Sequence, residues 1–138
     1  MITGLGFATL LDATTQHNKS AGGAYSGLNT VGADNTYVGH KAGYGADGAD
    51  ANNVGVGSNA LLAITTGAYN VSIGHNAGAA LTDGAYNVFV GRNVGQNITS
   101  TGQTTLIGYG AGDAINHSDA DGTVAIGDNS LGALTTGR

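Results

Sequence analysis

The chain has 138 residues, of which 26 are glycine, and it contains no cysteine, proline or tryptophan. Without cysteine there is neither a disulfide framework nor a thiolate metal site, and without proline the high glycine content is not that of collagen. A net charge of −5 with only four basic residues argues against nucleic acid as a partner, and an apolar content of 41% argues against simple disorder.

A glycine recurs at nearly constant spacing along the whole chain. The marker glycines are Gly4, Gly22, Gly39, Gly57, Gly74, Gly91, Gly108 and Gly127. Their gaps are 18, 17, 18, 17, 17, 17 and 19 residues. A fixed period of this length predicts a stacked solenoid with one coil per repeat. We therefore predict an all-β solenoid of about seven coils of 17–19 residues. It forms one repeat domain over residues 1–138, with degenerate coils in 1–34 and regular coils in 35–138.

The three residues before each marker glycine form the predicted strand. Counted from the marker, positions minus 3 and minus 1 are mostly β-branched and apolar, whereas position minus 2 varies freely. Alternation of period two is typical of a strand with one buried face, so we predict that minus 3 and minus 1 point inward. The core predicted from position minus 1 is Val56, Ile73, Val90, Ile107 and Ile126. Position plus 7 adds Ile64, Leu81, Ile98 and Ile115.

Asparagine recurs at two other positions of the repeat. Position minus 4 holds Asn18, Asn35, Asn53, Asn70 and Asn87. Position plus 2 holds Asn59, Asn76, Asn93 and Asn129. Stacked asparagines bond their amides from coil to coil, and asparagine tolerates left-handed backbone at corners. We predict a structural ladder at both positions.

Aromatic residues are the candidates for ligand binding. If minus 3 and minus 1 point inward, Tyr37 and Phe89 at minus 2 point outward, and Tyr109 at plus 1 joins them. Exposed aromatic rings present flat apolar faces suited to stacking on saccharides, so we predict a glycan-contacting surface. Tyr69 and Tyr86 recur at one corner of adjacent coils, which favours stacking on each other.

Acidic turns offer the sequence's candidate metal ligands. Asp119 and Asp121 lie in one turn, and Asp47 and Asp50 lie in another. Their oxygens could ligate calcium, but neither spacing fits an EF-hand loop. Polar turns are the favoured interpretation, and we expect neither a metal nor another cofactor. No apolar run approaches the length of a membrane span, so no membrane insertion is expected.

Two stretches of the repeat, Asn70–Gly78 and Thr123–Ser130, resemble the head repeats of YadA-type trimeric autotransporter adhesins. The longer unit formed by Asn53–Leu61 and Thr65–Gly67 is more similar to repeats of bacteriophage tail fibres. The resemblance covers nearly the whole chain and implies a trimeric, left-handed parallel β-roll with the strand valines and isoleucines inside. The period departs from the adhesin heads, whose repeat is shorter.

The resulting expectation is a non-enzymatic structural protein of a virion fibre, extracellular, with itself as its first partner. Each coil carries few large apolar side chains, so burial between chains in a homotrimer is the preferred arrangement. Other fibre or virion proteins and a host-surface polysaccharide are further expected partners. The head of a bacterial trimeric adhesin and a hexapeptide-type acyltransferase remain alternatives. An ice-binding solenoid is another, since Thr65, Thr82, Thr99 and Thr135 form a row.

Overall fold

The computed structural model describes residues 2–10, 18–45, 48, 50–115 and 121–133. These residues form an all-β solenoid in which each coil contributes one short strand, and they contain no helix. The eight strands are β1 (Ile2–Leu5), β2 (Lys19–Gly22), β3 (Thr36–Val38), β4 (Val54–Val56), β5 (Val71–Ile73), β6 (Val88–Val90), β7 (Thr105–Ile107) and β8 (Val124–Ile126). All pair in parallel with their sequence neighbours, so one sheet runs the length of the stack in chain order. The predicted all-β solenoid is confirmed.

The strand register shows that two of the predicted marker glycines are wrong. Gly22 pairs with Val38 and is itself the last residue of β2, so the marker of that coil is Gly23. By the same argument Leu5 pairs with Gly22, and the first marker is Gly6 rather than Gly4. The double glycine at 22 and 23 concealed the register, because both residues suit the period.

The marker position requires glycine for two reasons. At all eight markers φ lies between +127° and +142°, a region that side chains rarely adopt. From Gly6 to Gly108, a Cβ built on each marker would lie 2.2–2.7 Å from the backbone of the next marker. The coils therefore stack with their glycine backbones in direct contact, and the strand must end there.

The inward-facing strand residue is the one at minus 2, opposite to the prediction. Tyr37 is 1% exposed, and Phe89 and Leu106 are 0% exposed. In contrast, the predicted core residues of position minus 1 lie on the outer side of the sheet in the single chain. Val56 and Val90 are half-buried there, and the others are exposed, namely Ile73, Ile107 and Ile126.

Volume complementarity explains why the inward position varies so much in size. Where minus 2 is the large Tyr37, plus 4 is Gly43, and a Cβ on that glycine would lie 2.5 Å from the tyrosine ring. Where plus 4 is Leu61, minus 2 is Gly55. Leu106 is paired with Gly112 in the same way, and the ring of Phe89 comes closest to Gly78 of the preceding coil, where a Cβ would lie 2.8 Å from it. The two positions fill one interior layer together, so neither needs a constant side chain.

The rest of the interior agrees with the sequence pattern. Ile64, Leu81 and Ile98 at plus 7 are fully buried, and Ile115 is 3% exposed, as predicted. Position plus 3 holds small buried residues that let the two limbs approach closely: Ala42, Ala60, Ala77, Val94 and Ala111. The core is thus one apolar cluster that follows the stack from Leu10 to Ala125.

The buried asparagine ladder is confirmed at position minus 4. Each Oδ1 accepts a hydrogen bond from the backbone N–H of the next rung, at 2.8–3.0 Å, for Asn35, Asn53, Asn70 and Asn87. Each Nδ2 also donates to a backbone carbonyl of the following coil at 2.8–3.1 Å. The outer ladder at plus 2 is present from Asn59 through Asn76 to Asn93. The buried ladder satisfies backbone groups of the corners, whereas the outer ladder joins side-chain amides from coil to coil.

Candidate interaction surface

The strand residues at minus 3 and minus 1 of β3–β8 form one continuous surface, here called the outer strand face. It consists of Thr36, Val38, Val54, Val56, Val71, Ile73, Val88, Val90, Thr105, Ile107, Val124 and Ile126. Ile73 is 41% exposed, Val38 is 47% exposed and Ile126 is 68% exposed. The alternation of a parallel strand places both columns on the same side of the sheet.

The outer strand face is unusual for a protein surface because it is aliphatic apart from two threonines and carries no charge. Neighbouring strands lie about 4.8 Å apart, so six strands span roughly 24 Å along the stack. A largely apolar surface of this length is typical of a site that another molecule covers. Its in-register aliphatic columns offer shape complementarity to a similar flat surface.

A row of polar and aromatic residues at plus 1 flanks the outer strand face. This plus 1 row holds His40, Ser58, His75, Arg92, Tyr109 and Asp128. Tyr109 is 49% exposed, and the Arg92 guanidinium carbon lies 5.7 Å from the centre of its ring. The outward placement predicted for Tyr109 is therefore confirmed, whereas Tyr37 and Phe89 are inside the coil and are wrong as ligand contacts.

The two tyrosines of the recurring corner stack on each other. The rings of Tyr69 and Tyr86 are parallel to within 1° with centroids 5.0 Å apart, and they are 52% and 59% exposed. Both residues have φ near +60°, so the left-handed backbone of the corner sets the direction in which the rings leave the coil. The stacking predicted from the sequence is confirmed, and the contact uses one face of each ring.

The threonines at plus 8 serve the backbone ladder. The Thr65 hydroxyl donates to the Thr82 carbonyl, and the Thr82 hydroxyl donates to the Thr99 carbonyl, each at 2.9 Å. These hydroxyls are engaged from coil to coil rather than presented as a free array. Thr135, the last member of the predicted row, lies outside the described residues.

The acidic turns contain one carboxylate with a clear structural role. Asp121 is exposed, and its Oδ1 accepts a hydrogen bond from the Gly102 N–H at 2.6 Å, which fastens the last described corner to the coil before it. Asp119 and Asp47 lie outside the described residues. Within the described part of the chain, no group of three or more histidine, cysteine, aspartate or glutamate residues could hold a metal ion.

The structure also reveals a buried polar cluster that the sequence interpretation missed. Lys19, Tyr37 and Asp50 are each 1% exposed, and the Tyr37 hydroxyl donates to Asp50 Oδ2 at 2.6 Å. Lys19 Nζ donates to the Thr30 carbonyl. Asp50 Oδ1 is buried and has no hydrogen-bond partner. With Gly23 as the marker, Lys19 rather than the predicted Asn18 occupies the ladder position that asparagine holds in the next four coils. This substitution is the signal that could have identified the cluster.

Burial shifts every titratable group of this cluster toward its neutral form. Loss of solvent raises the pKa of the Asp50 carboxyl, and the hydrogen bond from Tyr37 and the nearby Lys19 charge offset only part of that. Burial also lowers the pKa of the Lys19 amine, although the negative charge of Asp50 acts to raise it. Burial, followed by the Asp50 charge, raises the pKa of Tyr37 well above its ordinary value. Burial is thus the first cause of all three pKa shifts.

Comparisons with known proteins identify no relative: no family model, no curated protein and no solved structure matches the chain. No helix in the described residues is long and apolar enough to cross a membrane. The fold and its surfaces are therefore the basis for a functional proposal.

Proposed function

We propose that the chain is a structural segment of a trimeric fibre, of the kind found in a phage tail fibre or similar virion appendage. The observation that carries the proposal is the outer strand face, an uncharged aliphatic surface that follows the sheet from β3 to β8. Three copies, each turning this face toward a common axis, would bury the residues that the single chain leaves exposed. The strand valines and isoleucines would then be inside, as the resemblance to fibre repeats implies.

The geometry of the coil supports a structural rather than a catalytic role. Stacked glycine backbones, the buried asparagine ladder and the continuous parallel sheet fasten each coil to the next along the stack. Repeats joined in this way gain stability with each neighbour and extend in one dimension. Such a shaft can span a distance and resist bending, which is the mechanical task of a fibre.

The plus 1 row, which flanks the outer strand face, is the region that we propose for host contact. Arg92 and Tyr109 form an exposed pair of guanidinium and aromatic ring, which suits stacking and hydrogen bonding to a saccharide. The head of a bacterial trimeric adhesin would use the same outer strand face and remains the alternative. The two assignments differ in where the native protein is found, on a virion or on a cell.

Light scattering on a sizing column tests the assembly. We expect a mass three times that of the 13.5 kDa chain, because the outer strand face needs a covering partner. A monomer that stays soluble and folded over a wide concentration range would refute the trimeric fibre. A dimer would retain self-association but refute the three-fold arrangement.

A further inference from the structure

The outer strand face is flanked by a row of side chains on each of its two sides. The plus 1 row follows the strands, and a second row, at position minus 5, precedes them. This minus 5 row consists of Asn18, Asp34, Asn52, Tyr69, Tyr86 and Gln103, all of which are exposed. A buried ladder residue and a strand lie between the two rows of each coil, and three extended residues alone span about 10 Å. The two rows therefore leave the coil on opposite sides of the face.

The backbone of the minus 5 row indicates that its side chains do more than form a corner. All six residues have φ between +57° and +62°. Asparagine and aspartate tolerate this left-handed conformation, and they hold the first three places, at Asn18, Asp34 and Asn52. Tyr69 and Tyr86 adopt it at a cost, with rings that are more than half exposed. A bulky residue in strained backbone at a surface points to a role for its side chain outside the coil.

We propose that the minus 5 row of one copy packs against the plus 1 row of the next copy, coil by coil, in the trimer. This seam rests on the function proposed above and identifies the contact between neighbouring chains. Rotation about an axis parallel to the stack brings the side where the strands of one copy end to the side where those of the next begin. A closed ring of identical copies permits no net shift along its axis, so residues of the same coil meet.

The residues that would meet are chemically matched in five successive coils. The pairs, with the minus 5 residue first, are Asp34 with His40, Asn52 with Ser58, Tyr69 with His75, Tyr86 with Arg92 and Gln103 with Tyr109. They combine a carboxylate with an imidazole, an amide with a hydroxyl, two aromatic rings, a ring with a guanidinium, and an amide with a phenol. None of these five pairs opposes like charges. Because both rows lie at the rims of the face, the seam stays at the surface, where Arg92 and Tyr109 can still meet a saccharide.

Disulfide cross-linking tests the seam, because the chain contains no cysteine of its own. The double variant Tyr69→Cys with His75→Cys is sized by light scattering and then oxidised, and its products are separated on a denaturing gel without reductant. We expect a band of three chains that reduction returns to single chains. A disulfide joins Cα atoms about 4.4–6.8 Å apart, so the two cysteines of one chain cannot bond to each other across the strand.

Two further double variants control the assembly and the register. Asn52→Cys with Ser58→Cys leaves both tyrosines in place, so it is expected to give the same band even if the loss of Tyr69 weakens the trimer. Asp34→Cys with His75→Cys combines positions two coils apart, about 10 Å along the stack, and is expected to give no cross-link.

The outcomes distinguish the seam from the trimer itself. A trimeric mass without a cross-link in either matched variant would overturn the seam and leave the trimeric fibre intact. A monomeric mass would overturn both. Products that stop at two chains or extend beyond three would overturn the closed three-fold ring. A cross-link found only in Asp34→Cys with His75→Cys would overturn the pairing by coil.

Discussion

The ring of Tyr37 lies directly against the backbone of Gly43, which occupies the opposite limb of the same coil. A Cβ on Gly43 would approach three ring carbons to 2.5 Å, and the glycine has φ of +55°. We expect Gly43→Ala to lower the free energy of unfolding by about 2–4 kcal/mol, because it adds overpacking to an unfavourable left-handed backbone.

Gly22→Ala is the control for that substitution. A Cβ there would meet only Val38 Cγ1 at 3.9 Å, an ordinary contact. Denaturant unfolding of both variants should show Gly22→Ala neutral or stabilised by roughly 0.5 kcal/mol. Equal destabilisation of the two would contradict the interior packing described above.

The buried ladder predicts a second stability difference. Asn70→Ala would remove the acceptor of the Asn87 N–H and the donor to the Gly84 carbonyl. Each buried group left unsatisfied costs about 1–3 kcal/mol, so a marked loss of stability is expected. Asn97→Ala, at an exposed asparagine bonded to Asp113, should stay within about 0.5 kcal/mol of the wild type in the same melt.

Charge on the outer strand face should prevent assembly without unfolding the coil. Ile73→Asp is expected to yield a folded monomer, because its side chain points away from the interior and a buried, unpaired carboxylate between chains is costly. Thr66→Asp, at an exposed site on another limb, should leave the assembly intact. Light scattering with circular dichroism measures both. An assembled Ile73→Asp protein would refute the proposed interface.

The pH dependence of stability tests the environment of Asp50. In Lys19→Met the Asp50 carboxyl loses its nearby positive charge, so burial raises its pKa against less opposition, chiefly the hydrogen bond from Tyr37. The folded state then binds this proton more tightly than the unfolded state. Stability should be highest below the ordinary value of 3.8 and should fall as pH rises through the interval up to the folded pKa.

The double variant Lys19→Met with Asp50→Asn provides the matched baseline for that measurement. It has no ionisable group at residue 50, so the fall should be absent. Chemical denaturation from pH 3 to pH 8 compares the two proteins, and about 1.4 kcal/mol is expected for each unit of pKa shift. Parallel curves would show that Asp50 is solvated rather than buried.

Saccharide binding should depend on the plus 1 row and not on the stacked tyrosines. Tyr109→Ala and Arg92→Ala are expected to weaken retention on a glycan array, because they remove the exposed ring and its cation. Tyr86→Ala should lower the melting temperature while leaving retention unchanged, since it breaks the pair with Tyr69. If retention is lost only in Tyr86→Ala, the saccharide contact lies instead at the corner formed by Tyr69 and Tyr86.

The sequence predicted the repeat, the strand positions from β3 onward and the asparagine ladder, because all of these recur at fixed spacing. It gave the wrong direction for the strand side chains, since Val71 and Ile73 are more uniformly apolar than Ser72 between them. The constant position proved to be the outer one, and the variable position is inside because its partner at plus 4 compensates in volume. The residue type is therefore constant at the outer positions of the strand and not at the position that faces the core.

The buried polar cluster escaped prediction for a different reason. Its members lie 13–31 residues apart and occupy ordinary positions of degenerate coils, so no local pattern joins Lys19 to Asp50. Only the corrected register of the second coil places a lysine among the ladder asparagines. A cluster of residues far apart in the sequence depends on which coils stack. An error of one residue in the position of a marker glycine is enough to conceal such a cluster.

Each marker glycine contacts the next in the same way, so the number of coils can change without a change in the contact between coils. Every coil presents the same bare backbone to its neighbour, so an in-frame duplication or deletion of one repeat recreates the contact that it interrupts. A gene built this way can lengthen or shorten its product in steps of a single strand spacing, about 4.8 Å. Selection can therefore adjust reach without redesigning the interior.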